Sequence, residues 1–175
     1  DKDALNYINE ALNIFTTLRD TSKIDMALNN LAAVHSNLED YEKVLKYDKQ
    51  VLKLRIPTGD HHWIGFSHLS VAMAFRMLDK LDSAEYHLKT SETEFEQSKS
   101  PIPPHLFAEM AELYRQTNNI PQAIKYAELA LIKSTEIDHV QAEMYAKEIL
   151  ADLYSRDGDY KKAHSMLKEF YQMKE

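Results

Sequence analysis

One short pattern recurs four times, and it constrains the fold more than any other feature of the 175-residue chain. Leu31-Ala32-Ala33-Val34-His35, Val71-Ala72-Met73-Ala74-Phe75, Met110-Ala111-Glu112-Leu113-Tyr114 and Leu150-Ala151-Asp152-Leu153-Tyr154 each read large apolar, Ala, any residue, apolar, ring. Successive copies lie about 40 residues apart, the range of helical-hairpin repeats. A second signature follows each copy at a constant offset: Tyr41 with Val44, Leu81 with Ala84, Ile120 with Ala123, Tyr160 with Ala163. A small residue with a ring three positions later places a notch and a knob on one helix face. A second helix can then pack closely at the Ala, so each copy predicts a helical hairpin. No alternating β-branched run bounded by turn dipeptides exists to make a sheet, and the fold class is all-α.

The turns agree. Glu39-Asp40, Asp79-Lys80, Asn118-Asn119 and Asp157-Gly158-Asp159 separate the two signatures, and their Asp and Asn side chains suit capping of the next helix, except that Lys80 breaks the pattern. Pro121 suits a first helical turn, residues 98–104 read as a proline-rich linker, and residues 56–60 read as a helix stop. At the start, Ala4, Tyr7, Ile8, Ala11 and Leu12 repeat a second helix without a first. The layout is nine antiparallel helices, near residues 2–19, 23–38, 41–56, 60–79, 82–97, 104–117, 121–136, 140–156 and 160–174. It divides into a half repeat at 1–20 and full repeats at 21–58, 60–99, 103–137 and 139–175. A hairpin cannot bury its own apolar face, so the expectation is one continuous solenoid over residues 1–175.

Composition removes several function classes. Lys and Arg total 21 against 28 Asp and Glu, a net charge of −7, which gives no surface for releasing counterions from nucleic acid and is repelled by anionic lipid. Neither direct nucleic-acid binding nor membrane contact is expected of this segment. The absence of cysteine excludes disulfides, thiolate zinc sites and thiol catalysis but leaves the compartment open. Three glycines cannot build a glycine-rich phosphate loop or a dinucleotide fingerprint. No apolar run is long enough for a membrane span, and the first residues lack the pattern of a signal peptide. The chain opens without Met and on half a hairpin, so a piece of a longer protein is expected.

These residues resemble a tetratricopeptide-repeat array, whose units carry small residues at fixed points, a ring on the first helix and often a Gly-Asp-Tyr turn. Residues 157–163 match that turn closely and residues 118–123 are a variant of it. Three residues depart from the pattern: Val44 replaces the usual Ala, Asp48 falls at an apolar place and Phe170 at a small one. The long period resembles arrays of bacterial signalling regulators, peptide-sensing regulators and cargo adaptors rather than compact co-chaperones. Residues 153–175 resemble the closing repeat of bacterial arrays that precede a membrane helix and a kinase or DNA-binding output.

The resemblance implies an α-α superhelix whose first helices line a concave groove for a protein or peptide. By register the groove holds Met26, Asn29, Asn30, Ala33, Ser36 and Asn37 on one helix, and Phe66, Leu69, Ser70, Met73, Arg76 and Met77 on the next. Further along it holds His105, Ala108, Glu109, Glu112, Arg115 and Gln116, then Tyr145, Glu148, Asp152, Ser155 and Arg156. Asn29, Asn30 and Asn37 have the donors and acceptors to clamp a peptide backbone, or are simply solvated. Phe66, Leu69, Met73 and Met77 form an adaptable anchor or ordinary packing. Lys and Asn residues that grip a C-terminal carboxylate in chaperone-binding arrays are missing from the matching positions.

His61, His62 and His68 invite a metal site, but the positions one turn from His61 and His62 are Ile64, Gly65 and Phe66, which cannot ligate. A helix-start cluster with Trp63 packed on the previous hairpin is expected instead. Glu109 and Glu112 are expected one turn apart on an open face, with Arg115 beside them. No metal, cofactor or catalytic site is expected. The function expected is a partner-binding scaffold of a bacterial signalling or transcription regulator. The alternative is an assembly adaptor that self-associates, as a homodimer for instance, through terminal helices bearing Phe170, Tyr171 and Met173.

Overall fold

The structure, a computed structural model, describes residues 2–174, so Asp1 and Glu175, the outermost residues of the expected array, lie outside the described residues. Among the described residues are nine α-helices, one 3₁₀ turn at Ile56–Thr58 and no strand. The helices are α1 Lys2–Leu18, α2 Thr21–Asn37, α3 Tyr41–Arg55, α4 His61–Met77, α5 Leu81–Ser98, α6 Pro104–Gln116, α7 Ile120–Glu136, α8 Val140–Asp157 and α9 Tyr160–Lys174. No helix among them is long and apolar enough to cross a membrane. They fall into two compact units that meet in sequence at Ser100 and Pro101, inside the proline-rich segment.

In the first unit α1 packs on the α2–α3 hairpin, and α3 packs on the α4–α5 hairpin. In the second, α6–α7 and α8–α9 are hairpins joined by α7 against α8 and α6 against α8. The expected notches are where the helices meet: Ala32, Ala72, Ala111 and Ala151 are buried on the first helices, and Val44, Ala84, Ala123 and Ala163 on the second. A regularity beyond the two signatures appears in the rings. His35 stacks on Tyr47 at 5.7 Å, Phe75 on His87 at 5.4 Å and Tyr114 on Tyr126 at 5.4 Å. Each ring thus meets a partner at one fixed offset along the chain. In the fourth hairpin Tyr154 instead donates its hydroxyl to Glu128 at 2.6 Å.

Caps follow the chemistry of the turns. Asp40, Asn119 and Asp159 each accept a backbone N–H three residues on, at 3.4, 3.4 and 3.0 Å, while Lys80 leaves α5 without a side-chain cap. Just before the cap the backbone turns left-handed, at φ 56° for Glu39 and Asp79, 57° for Asn118 and 87° for Gly158. Arg19, Lys99 and Asp138 adopt the same conformation in other connections. The stop at residues 56–60 is the 3₁₀ turn, closed by left-handed Gly59 and followed by Asp60, which caps α4 through the N–H of Trp63.

Helices α4 and α5 approach each other closely at Gly65. A Cβ there would meet the Phe95 ring at 3.2 Å, and the buried Ser91 hydroxyl donates to the Gly65 carbonyl at 2.8 Å. Phe95 is fully buried, with Phe66 edge-on at 4.9 Å and His62 at 5.8 Å, so the ring has nowhere to retreat.

Candidate functional site

Helices α2, α3 and α4 enclose a cleft of about 340 Å³. From α2 it takes Asn29, Ala32, Ala33 and Ser36, and from α4 Ser70, Met73, Ala74, Arg76 and Met77. Most of these are residues that the register places on the groove. The α3 side, Tyr41, Val44 and Asp48, was missed, because only first helices were read as groove-forming. One signal for it was in the sequence: Asp48 is the acid that interrupts an apolar position. The methionines stand half open to solvent, at 41% for Met73 and 44% for Met77.

Asp48 is buried, with 6% of its surface exposed, although it lines the cleft. Burial pushes its carboxyl up from the ordinary 3.8 to about 6, opposed by the charge of Arg55. Arg55 is itself committed elsewhere. Its fork donates to both Asp25 carboxylate oxygens at 3.1 and 2.8 Å and to the Ser67 hydroxyl at 3.1 Å, and it lies 5.2 Å from the centre of the Trp63 ring. Through Arg55, Trp63 does rest on the end of the previous hairpin. Thr21, Ser22, Asp25, Leu54, Arg55, Thr58, Asp60 and Trp63 line a second cleft of about 350 Å³ that the register did not suggest.

The remaining candidates of the first unit disperse. Asn29 donates to its own helix at the Asp25 carbonyl, 2.8 Å away, which leaves its carbonyl oxygen for a ligand. Asn30 and Asn37 are exposed and lie outside the cleft lining. Phe66 is packed among His62, Trp63 and Phe95, and Leu69 is buried. The histidines have separate partners. His61 pairs with Glu94 at 2.7 Å, His62 lies edge-on to three aromatic rings, and His68 meets His87 Nδ1 to Nδ1 at 2.8 Å. Burial, the neighbouring His68 and Lys49 hold His87 down to about 4, and burial also lowers His68.

In the second unit the acid and arginine candidates form a chain. Arg115 donates to Glu112 from two nitrogens at 2.9 and 2.6 Å and lies 3.8 Å from Asp152, which Arg156 also pairs with at 2.9 Å. The open face expected for Glu109 and Glu112 is corrected: they are 6% and 7% exposed, because α6 is buried on every side from Leu106 to Leu113 rather than along one stripe. His105 is exposed with its ring edge-on to His139 at 5.5 Å, and partial desolvation and the His139 charge lower its pKa. Tyr145 and Glu148 are exposed on α8. Away from these candidates, Lys147 is buried between Glu143 at 2.8 Å and Glu169 at 3.1 Å; burial pulls its pKa down, and the two carboxylates more than reverse this.

Residues 23–93 match the sequence model of the tetratricopeptide repeat. No curated protein matches the sequence. Among solved structures, BtubC (BKLC) from P. vanneervenii superposes with a TM-score of 0.83 at 18% identity, over 99% of this chain and 72% of that one. A putative kinesin light chain of Podosopora anserina with nearly identical TPR-like repeats gives 0.72 at 16%, over 99% and 86%. Aspartyl phosphate phosphatase F from Bacillus subtilis gives 0.69 at 13%, over 97% of this chain and 54% of that one. The fold is that of a tetratricopeptide-repeat array.

Proposed function

We propose, from the premise that this chain is a tetratricopeptide-repeat array, that it binds a protein or peptide and is the partner-binding region of a bacterial signalling or transcription regulator. The observation that carries the binding reading is the cleft between α2, α3 and α4, where half-exposed Met73 and Met77 stand beside polar Asn29, Ser36 and Ser70. Adaptable apolar anchors with a few orienting polar groups suit recognition of a peptide side chain. The regulator reading draws on the long repeat period and on the resemblance of residues 153–175 to the closing repeats of bacterial regulators.

The reading is of a binding module and not an enzyme. Among the described residues the displaced groups have structural partners, His87 against His68 and Lys147 between Glu143 and Glu169, which favours structural and binding roles. The test is affinity capture on the immobilised protein, followed by calorimetric titration of the captured partner with wild type and Met73→Glu. Loss of binding in the variant is expected, and equal affinities overturn the assignment of the cleft.

Exposed Tyr171 on α9 and exposed Tyr7, Ile14 and Leu18 on α1 favour a second reading, self-association through the terminal helices. A monomer mass by sedimentation at high concentration overturns it.

A further inference from the structure

Position 48 is the anomaly of the repeat. The second and third hairpins place Leu88 and Ala127 there, both buried as core. The first hairpin buries a carboxylic acid instead, and the acid borders a solvent-open cleft. No hydrogen-bond donor to the Asp48 carboxyl is found among the described residues. Of the two arginines nearby, only Arg55 exerts a pull on it, and the Arg55 fork is occupied by Asp25 and Ser67. Arg76 also borders the cleft but does not register as a charge acting on Asp48. With its pKa held at about 6, the carboxyl is mostly ionised at neutral pH. A buried charge whose one attracting cation is hydrogen-bonded to other groups is costly, and replacing it by an apolar residue would relieve the cost. The repeat makes that replacement at its other copies.

The rest of the lining indicates what completes the pair. Val44, Met73 and Met77 offer apolar walls, and Ser36 and Ser70 offer hydroxyls. The volume of about 340 Å³ is near the lower end of ligand pockets and leaves ample room for one long side chain. We infer that this cleft is the anchor pocket for a single basic side chain, lysine or arginine, of a bound peptide, its aliphatic stem lying along Val44, Met73 and Met77 and its nitrogen pairing with the Asp48 carboxylate. Long basic side chains carry this combination of an apolar stem and a cationic head. The inference rests on the peptide-binding reading above and names the chemistry of its ligand.

The test pans a random peptide library on the whole chain and measures each selected peptide against wild type, Asp48→Asn and Asp48→Leu. The latter copies Leu88, so one of the two variants is well packed, and circular dichroism checks both folds. The expected result is a basic residue shared by the selected peptides, with affinity reduced about 30-fold or more in both variants. Peptides that lack a basic residue, or that bind the variants equally, overturn the pocket and leave peptide binding standing. If no peptide is selected, Nα-acetyl-lysine amide and Nα-acetyl-arginine amide are titrated into ¹⁵N-labelled protein, with the norleucine analogue as neutral control. Saturable shifts around α2, α3 and α4 with the basic amides alone, absent in Asp48→Asn, support the pocket while the peptide reading fails. No shift, or equal shifts with norleucine, overturns it.

Discussion

Replacing Asp48 by Asn should remove a loss of stability that the natural sequence suffers as pH rises to neutral, by an amount that is calculable from the displaced pKa. The folded carboxyl titrates near 6 and an unfolded one near 3.8. Between these values the folded state holds more protons than the unfolded state, so the Asp48 contribution to stability is full below about pH 4 and is lost as pH rises through 6. At about 1.4 kcal/mol per pH unit the loss amounts to about 3 kcal/mol. Asn does not titrate. The amide has its own packing and hydrogen-bonding cost, but that cost is the same at every pH and cancels from the shape of the curve. Urea denaturation of both proteins from pH 3.5 to 7.5 supplies the test. The one tryptophan, Trp63 on α4, reports on the unit that contains Asp48. The difference in unfolding free energy should swing towards Asn by about 3 kcal/mol across that range. A flat difference would refute the claim that burial displaces Asp48, and with it the argument that the charge awaits a partner.

His87 should show the opposite sign, because its imidazole is held down to about 4 against an ordinary 6.5. Here the unfolded state takes up protons first, so His87 costs stability as pH falls from 6.5 towards 4, and His87→Gln should remove that slope from the denaturation series. Gly65→Val should destabilise the first unit by about 2 to 3 kcal/mol by pressing a branched side chain onto the trapped Phe95 ring. A tryptophan-monitored midpoint equal to wild type would contradict the packing at that crossing. Lys147→Met should cost the second unit about 2 kcal/mol, since it leaves Glu143 and Glu169 without their shared cation, and far-ultraviolet circular dichroism on urea denaturation measures it. No loss would mean that the pair of carboxylates is solvated well enough alone.

Much of the architecture was legible because each hairpin writes its geometry locally. The Ala and ring spacing gave the helix pairs, and Asp40, Asn119 and Asp159 marked helix starts through their caps. The second ring of each stack was also present in the sequence, as Tyr47, His87 and Tyr126 at a constant distance from His35, Phe75 and Tyr114. Period and register describe one helix face at a time, so they do not pair a ring on one helix with a ring on the next. The same limit explains the site. First-helix residues such as Ser70 and Met73 could be placed on the cleft, whereas its α3 side required knowing which part of a second helix stays open. Asp48 was visible as a misfit, but its depth comes from packing on two neighbouring helices. For α6 the stripe argument failed outright: once helices press on it from more than one side, Glu109 and Glu112 are buried with their apolar neighbours.

The left-handed turn residues bear on how far this protein could be hardened against heat. Six of them are not glycine: Arg19, Glu39, Asp79, Lys99, Asn118 and Asp138, all with φ between 53° and 57°. A side chain pays about 1 to 2 kcal/mol to sit there, and glycine avoids that while giving back roughly half through its freer unfolded chain. The α8–α9 turn already uses Gly158. Copying that choice to the other turns would raise the melting temperature in small independent steps, and since none of the six residues lines either cleft, binding should survive the change.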